Sequence, residues 1–494
     1  MEFYIDLHPV FSQQQLKQNH MQQKTLFSVL AIAGIAAILT LSSFFRPDMS
    51  DHQITNDEDT VGYRSNAKEI KRKGPLTLSA SFENDYYTRQ SRTGHYYVEV
   101  QAGKKNNEYA QHVPLNLSVV IDRSGSMSGE KIRNAKKAAK YIVDQMNPED
   151  YLSVVIYDQE INVIQPAGHV YNKQLLKNKI DQIVDRGSTN LMGGALKGYA
   201  EVAKNYQSSS INRVLLLSDG LANEGITNPN EIERIVRQKN REEGISISTF
   251  GVGNDYNEDL MTAMAENGTG NYYFIDQPEK ISGIFSKELN GLMEVVAQNA
   301  VLKITLPDFV NVEKVHGYKH EQTGRVLTIR FHDIFSEETK GVLIRYTVNR
   351  DINNPVSFNT TLNYSEPGED VKQILNVRNQ CEFTTNNYTY REHFSEWVAA
   401  QVALYEVNES LENAMKEVDN GNYEKARQIV KDNNEQMVKK AKLVERSPEL
   451  QRAQQSNAVY DTKIESVETM DEESRKYMQK STKSENYQIR TKKR

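Results

Sequence analysis

The period of the hydrophobic pattern changes along this chain, and those changes constrain its fold more than any single motif. Leu76, Leu78, Ala80 and Phe82 alternate with polar neighbours, and so do Tyr96, Val98 and Val100. A two-residue period is that of a strand with one buried face. From Leu115 to Gln298 the pattern becomes short apolar strands separated by amphipathic helices. The strands are LSVVID, Leu152–Tyr157, Val214–Ser218, Ile245–Gly251 and Tyr272–Ile275, and between the first two Ile132, Ala135, Ala139, Ile142 and Met146 mark one helix face. Strands joined by crossover helices predict an α/β, doubly wound, mostly parallel sheet.

After Asn299 the two-residue period returns in Ala300, Leu302, Ile304 and Leu306, then in Leu327, Ile329 and Phe331, then in Val342, Ile344, Tyr346 and Val348. Phe358 to Tyr364 adds a further segment of this kind. Strands on both sides of the α/β stretch predict one β-sandwich with the α/β domain inserted in it, since domain termini usually lie close together. Two separate small β units are the alternative. From Glu392 the period becomes helical: Trp397, Ala400, Leu404, Val407, Leu411, Ala414 and Val418 repeat, Asn420-Gly421-Asn422 interrupts, and Tyr423, Ala426 and Ile429 resume. That spacing predicts an α-helical hairpin.

The N-terminus carries one long apolar run, Leu26 to Phe45, without a charge. Its twenty residues make about 30 Å of helix, enough to cross a bilayer's hydrocarbon. A cleaved signal peptide is the rival, but no small-x-small site follows cleanly. Lys17 and Lys24 precede the run and Arg46 follows it, which favours a cytoplasmic N-terminus. The expected organisation is a cytoplasmic segment 1–24, a transmembrane signal anchor 25–45 and a linker 46–73. N-terminal strands of the sandwich follow at 74–114, the α/β domain at 115–298 and the rest of the sandwich at 299–390. The helical hairpin takes 391–446, and 447–494 reads as a disordered polar tail. The bulk of the chain is then extracytoplasmic, periplasmic or at the cell surface, on a single-pass anchor.

Composition removes several function classes. Sixty basic against 66 acidic residues give a net charge of −6, which lacks the basic excess of a nucleic-acid binder. A mean hydropathy of −0.66 excludes a multi-span membrane protein. One cysteine, Cys381, excludes an intrachain disulfide framework and a cysteine-based zinc site. No HExxH and no GxxxxGK[ST] occur, so a zincin protease and a P-loop ATPase are unsupported. Gly251-Val252-Gly253 lacks the third glycine of a dinucleotide loop. No small-molecule substrate is evident, and the chain is not expected to be an enzyme.

The chemistry concentrates in loops after strands, where open parallel sheets hold their ligands. Asp122-Arg123-Ser124-Gly125-Ser126 ends the first α/β strand, Gly187-Ser188-Thr189-Asn190 supplies another hydroxyl, and Ser218-Asp219-Gly220 supplies a second carboxylate. These are hard oxygen donors, suited to magnesium, manganese or calcium rather than zinc. Capping of the following helix by Asp122 and Ser124 is the plainer alternative for the first loop. An aspartate phosphatase would need a second aspartate where Ser124 stands.

The three loops together resemble the metal-ion-dependent adhesion site of von Willebrand factor type A domains, over about Leu115 to Gln298. The wider chain resembles membrane-anchored bacterial proteins that carry such a domain. The resemblance implies a metal set of Asp122, Ser124, Ser126, Thr189 and Asp219 holding Mg2+, Mn2+ or Ca2+. It also implies a protein partner whose acidic residue completes the coordination. A non-catalytic scaffold, in which the metal is structural and the sandwich or helical hairpin binds the partner, is the alternative function.

Overall fold

The computed structural model describes residues 69–104, 113–350, 352–367 and 371–491, all within the unit Tyr63–Arg494. The expected anchor at 25–45 and the segment before it lie outside the described residues. Among the described residues no helix is long and apolar enough to cross a membrane.

The chain opens with strands β1 (Glu69–Lys73), β2 (Leu76–Phe82), β3 (Tyr86–Tyr87) and β4 (Thr93–Ala102). β1 corrects the expected linker, whose last five residues form a fully exposed strand antiparallel to β2. Its sequence EIKRK has no apolar alternation, because an edge strand is held by backbone bonds and its charges discourage further pairing.

The α/β domain follows as β5 (Leu115–Asp122), α1 (Glu130–Gln145), β6 (Tyr151–Tyr157), β7 (Ile161–His169), α2 (Lys173–Asp181), α3 (Leu191–Ala203) and β8 (Ile211–Ser218). It continues as α4 (Pro229–Glu243), β9 (Ser246–Val252), α5 (Glu258–Asn267), β10 (Thr269–Ile275) and α6 (Ile281–Met293). The sheet order is β10-β9-β8-β5-β6-β7, parallel except for β7. The antiparallel edge strand β7 was not expected, because its residues are half-buried or exposed and hold Pro166, which masks the alternation.

Each face of this sheet has its own core. Ala135, Ile142, Phe285 and Leu289 bring α1 and α6 onto one face with Leu117, Val119 and Ile121. Leu191, Tyr199, Val236 and Met264 bring α3, α4 and α5 onto the other with Val120 and Val214. α3 lies so close that a Cβ on Gly198 would stand 2.6 Å from Val120 Cγ2. Glycine there allows the close approach that aims the loop before α3 at the ends of β5 and β8.

β11 (Val295–Thr305), β12 (Val310–His316), β13 (Glu321–Thr323), β14 (Val326–Phe335), β15 (Thr339–Val348), β16 (Val356–Ser365) and β17 (Lys372–Phe383) complete the sandwich. One sheet runs β1-β2-β4-β15-β12 and the other β13-β14-β11-β16-β17-β3. β4 pairs antiparallel with β15, Val98 opposite Val342, so the N-terminal strands share a sheet with strands beyond the α/β domain. That pairing establishes the insertion and removes the two separate β units. Phe82, Tyr96, Tyr346 and Phe358 pack ring against ring between the sheets.

The helical region is larger than a hairpin. α7 (Asn387–Glu392), α8 (Glu396–Asp419) and α9 (Tyr423–Lys439) are followed by α10 (Ala441–Arg446), α11 (Pro448–Glu465) and α12 (Glu472–Arg490). α8 and α9 form the expected hairpin, turning at Gly421 with φ of 75°. The last two helices correct the disordered tail. α11 buries Leu450, Ala453, Tyr460 and Ile464 against α8 and α9. α12 buries mainly polar groups, among them Lys480, Thr482 and Asn486, so it carries almost no apolar period to read.

Candidate metal centre

β5 delivers Asp122 to the carboxyl edge of the sheet, where it is wholly buried. Its Oδ1 accepts from the Ser124 backbone N–H at 2.8 Å and its Oδ2 from Ser218 Oγ at 2.6 Å. Ser124 Oγ and Ser126 Oγ are 3.1 Å apart, and Ser126 Oγ donates to Asp219 Oδ1 at 2.7 Å. Asp219, at the end of β8, is also wholly buried. A Cβ on Gly220 would lie 3.1 Å from Thr189 Oγ1 and 3.5 Å from Ser126 Oγ, so these two hydroxyls flank one bare stretch of backbone. The structure thus brings Asp122, Ser124, Ser126, Thr189 and Asp219 together from three loops.

Local folding holds that arrangement. Gly125 N–H donates to Gly187 O at 3.0 Å, tying the first loop to the second. Asn223 Oδ1 accepts from Thr189 N–H at 2.8 Å, tying the second to the third. Beneath them Asp158, buried at the end of β6, takes Arg123 at 3.0 Å and Arg186 at 2.9 Å. The capping alternative fails. α1 begins at Glu130 behind Gly129, and Ser124 makes no side-chain bond to the short 3-10 turn Gly125–Met127.

The electrostatics fit a cation. Burial pushes the Asp122 carboxyl up to about 6, with Asp219 adding to it, against the hydrogen bonds from Ser124 and Ser218. Two buried carboxylates face one nearby ammonium, Lys131, whose Nζ is 2.5 Å from Asp219 Oδ2. The donor set is two carboxylates and three hydroxyls, the hard-oxygen chemistry of magnesium, manganese or calcium. Sequence reasoning named Ser218 only as part of the third loop, without a role, and missed Lys131 and Asn223. Ser218, directly before Asp219, was the legible one, whereas nothing in the sequence joins Lys131 to Asp219.

A second acidic group, Glu258, Asp259 and Asp419, has ligand atoms within 4.8 Å of one another. Lys483 Nζ already stands among them, 2.9 Å from Glu258, 3.2 Å from Asp259 and 2.7 Å from Asp419. Burial would raise the Glu258 carboxyl, but Lys483 and Lys480 outweigh it and hold it below the usual carboxylate range. This cluster is a protein ion pair.

Comparison with known proteins agrees with the sheet and the loops. The von Willebrand factor type A domain family matches residues 116–287. Those residues form a von Willebrand factor type A domain. Domains of this family commonly mediate protein interactions, and they often bind a divalent metal. The uncharacterized protein YfbK of Escherichia coli is 34% identical over 210 residues, 42% of this chain and 36% of that protein. Inter-alpha-trypsin inhibitor heavy chain H3 of Rattus norvegicus is 30% identical over 213 residues, 39% of this chain and 23% of that protein. The chain thus spans about a third or less of these two relatives. Among solved structures, a von Willebrand factor type A protein from Catenulispora acidiphila superposes with a TM-score of 0.61 at 14% identity, over 76% of this chain and 88% of its own. The ArnB paralog VWA2 from Sulfolobus acidocaldarius gives 0.56 at 17% identity, over 83% and 98%. These two likenesses show the fold alone.

Proposed function

We propose that this chain is a membrane-anchored, extracytoplasmic protein that binds a protein partner through a divalent ion at the Asp122 loop set. The observation that carries this reading is the pair of buried carboxylates, Asp122 and Asp219, gathered with the hydroxyls of Ser124, Ser126 and Thr189. In this reading Asp122 and Asp219 supply the negative charge and the three hydroxyls supply neutral oxygens. The bound ion contributes a hard Lewis acid with a position left for a partner's acidic side chain. Leu221, 55% exposed just after Gly220, offers an apolar contact beside that position. The role is adhesive rather than catalytic, since none of the three loops sets a histidine beside a serine or threonine hydroxyl. The apolar run 26–45 supports the anchor and its flanking charges support the orientation.

One observation favours the scaffold alternative. Lys131, on α1, already offsets part of the charge of Asp219, which suits an ion held as structural counter-charge rather than as an open Lewis acid. The two readings separate in a cross-linking experiment on cells carrying the full-length protein, in magnesium and in chelator. Adhesion predicts a partner cross-linked only in magnesium and lost in Asp122→Ala, with the variant still folded by circular dichroism. A partner retained in chelator and in Asp122→Ala would turn the account to the scaffold.

A further inference from the structure

The opposite end of the same sheet carries a second feature. Thr269 and Gly270, at the start of β10, line a cavity of about 520 Å3 where the α/β domain, the sandwich and the helical region meet. β10 runs parallel to β9, so this end lies one strand length, about 20 Å, from the edge that carries Asp122. The volume falls within the roughly 300–1,000 Å3 usual for small-molecule sites.

Its lining is cationic and aromatic. Among the described residues, six lysines and arginines line it against four glutamates. Lys340 is held by Glu338, outside the lining, which leaves five against four. The pairing is uneven as well. Arg241 from α4 and Arg330 from β14 converge on one carboxylate, Glu321, at 3.2 Å and 3.8 Å. The Nε of Arg330 is buried with no hydrogen-bond partner among the described residues. Arg237 has only an amide oxygen, Asn267 Oδ1 at 3.0 Å, and Lys319 has no carboxylate within ion-pair distance among the described residues. The Arg241 and Arg330 side chains keep 58% and 36% of their surface exposed beside Glu321, so donors of both forks stay open to a planar oxyanion. Part of the wall is aromatic: Phe331 packs edge-on to Tyr318 at 4.9 Å, and Tyr405 from α8 and Tyr487 from α12 also line it, among neutral polar groups such as Asn240 and Thr328.

We propose that this cavity binds a small organic anion, a phosphate or carboxylate on an apolar body, with Arg241 and Arg330 as the clamp on its charged end. The clamp takes one arginine from the α/β domain and one from the sandwich, and the ring wall comes from the sandwich and the helical region. A bound anion therefore fastens the three together. Burial holds His316 below the ordinary imidazole value, so near neutral pH it offers hydrogen bonds to the ligand without adding charge.

The test is calorimetric titration of the full-length protein with phenyl phosphate, benzoate and inorganic phosphate. Saturable binding of phenyl phosphate or benzoate at one per chain is expected, and whichever binds more tightly identifies phosphate or carboxylate as the source. Arg330→Met and Arg241→Met should each weaken it at least about tenfold, the loss of one charge-assisted bond. Lys319→Gln, on an exposed loop where folding is not at stake, should weaken it by about threefold. Asp122→Ala should leave it unchanged, which separates this site from the metal loops. No saturable binding of either aromatic probe would overturn the proposal. Affinity unchanged in both arginine variants and Lys319→Gln would also overturn it, and inorganic phosphate binding as tightly as phenyl phosphate would remove the apolar body.

Discussion

α6 and α12 lean on the same strand, β10, from opposite faces, and they do so by opposite means. α6 buries Ile281, Phe285 and Leu289 in an apolar face and carries one buried charge, Glu288. Glu288 receives Arg213 at 3.0 Å, Ser248 at 2.5 Å, Asn271 at 2.6 Å and Tyr273 at 2.8 Å. Burial would raise its carboxyl, and those partners, Arg213 foremost, hold it low. α12 instead docks through Lys480 on Tyr256 O at 2.6 Å, through Lys483 among three carboxylates, and through Tyr487 against Tyr272. An apolar stripe with one saturated charge is insensitive to salt. A seam of lysines set among carboxylates that are themselves exposed, Asp259 at 67% and Asp419 at 33%, is screened by it.

That contrast orders the expected effects. The largest belongs to the α6 side. Arg213→Met leaves Glu288 charged, buried and short of its main partner, and the cost of such a break is about 3–5 kcal/mol. Urea denaturation should show the midpoint falling at unchanged slope, and a loss below about 1 kcal/mol would contradict the claim that this network fixes α6. Next is the α12 side. Lys483→Met takes the lysine from Asp259 and Asp419 and leaves Glu258 to Lys480 alone, at a cost of about 2 kcal/mol. Limited proteolysis between α11 and α12 should quicken in the variant and, in the wild type, with added salt. Salt-independent cleavage would erase the distinction between the two helices.

The smallest effect is a pH dependence that belongs to neither helix directly. His332, beside this network on β14, is buried, and burial foremost, with Arg330 and Arg213, lowers its pKa to about 4. The unfolded chain protonates this imidazole below about 6.5 and the folded chain only below about 4. Between those values the unfolded state holds more protons, so stability falls as pH drops through that window. The expected loss from pH 7 to pH 6 is about 0.7 kcal/mol, and His332→Asn should abolish it. Asn tolerates the φ of 56° found there. An equal loss in the variant would assign the acid sensitivity elsewhere.

The same contrast explains what was legible in the sequence. Apolar periodicity located the α/β strands, the helix through Ile132 and Ile142, and the α8–α9 hairpin, because those elements fold by burying one face. The sandwich insertion was legible because its strands keep a two-residue period on both sides of the α/β domain. β1, β7 and α12 were not, since an exposed edge strand, a half-exposed edge strand and a helix docked by lysines leave no apolar period. The five residues proposed as oxygen ligands were legible through short motifs at strand ends, and the structure gathers them. Lys131 was not, because its pairing with Asp219 spans two elements with no local signature. The cavity was beyond reach for the same reason, its clamp and rings being contributed by α4, β14, α8 and α12.

The central claim is that the Asp122 loops hold a divalent ion. Its most direct test is calorimetric titration of the full-length protein with magnesium, manganese and calcium, with Asp122→Ala as the control. The account predicts saturable binding of at least one ion at one per chain, abolished in the variant while its circular dichroism spectrum is retained. The absence of binding by the wild type, or equal binding by Asp122→Ala, would contradict it.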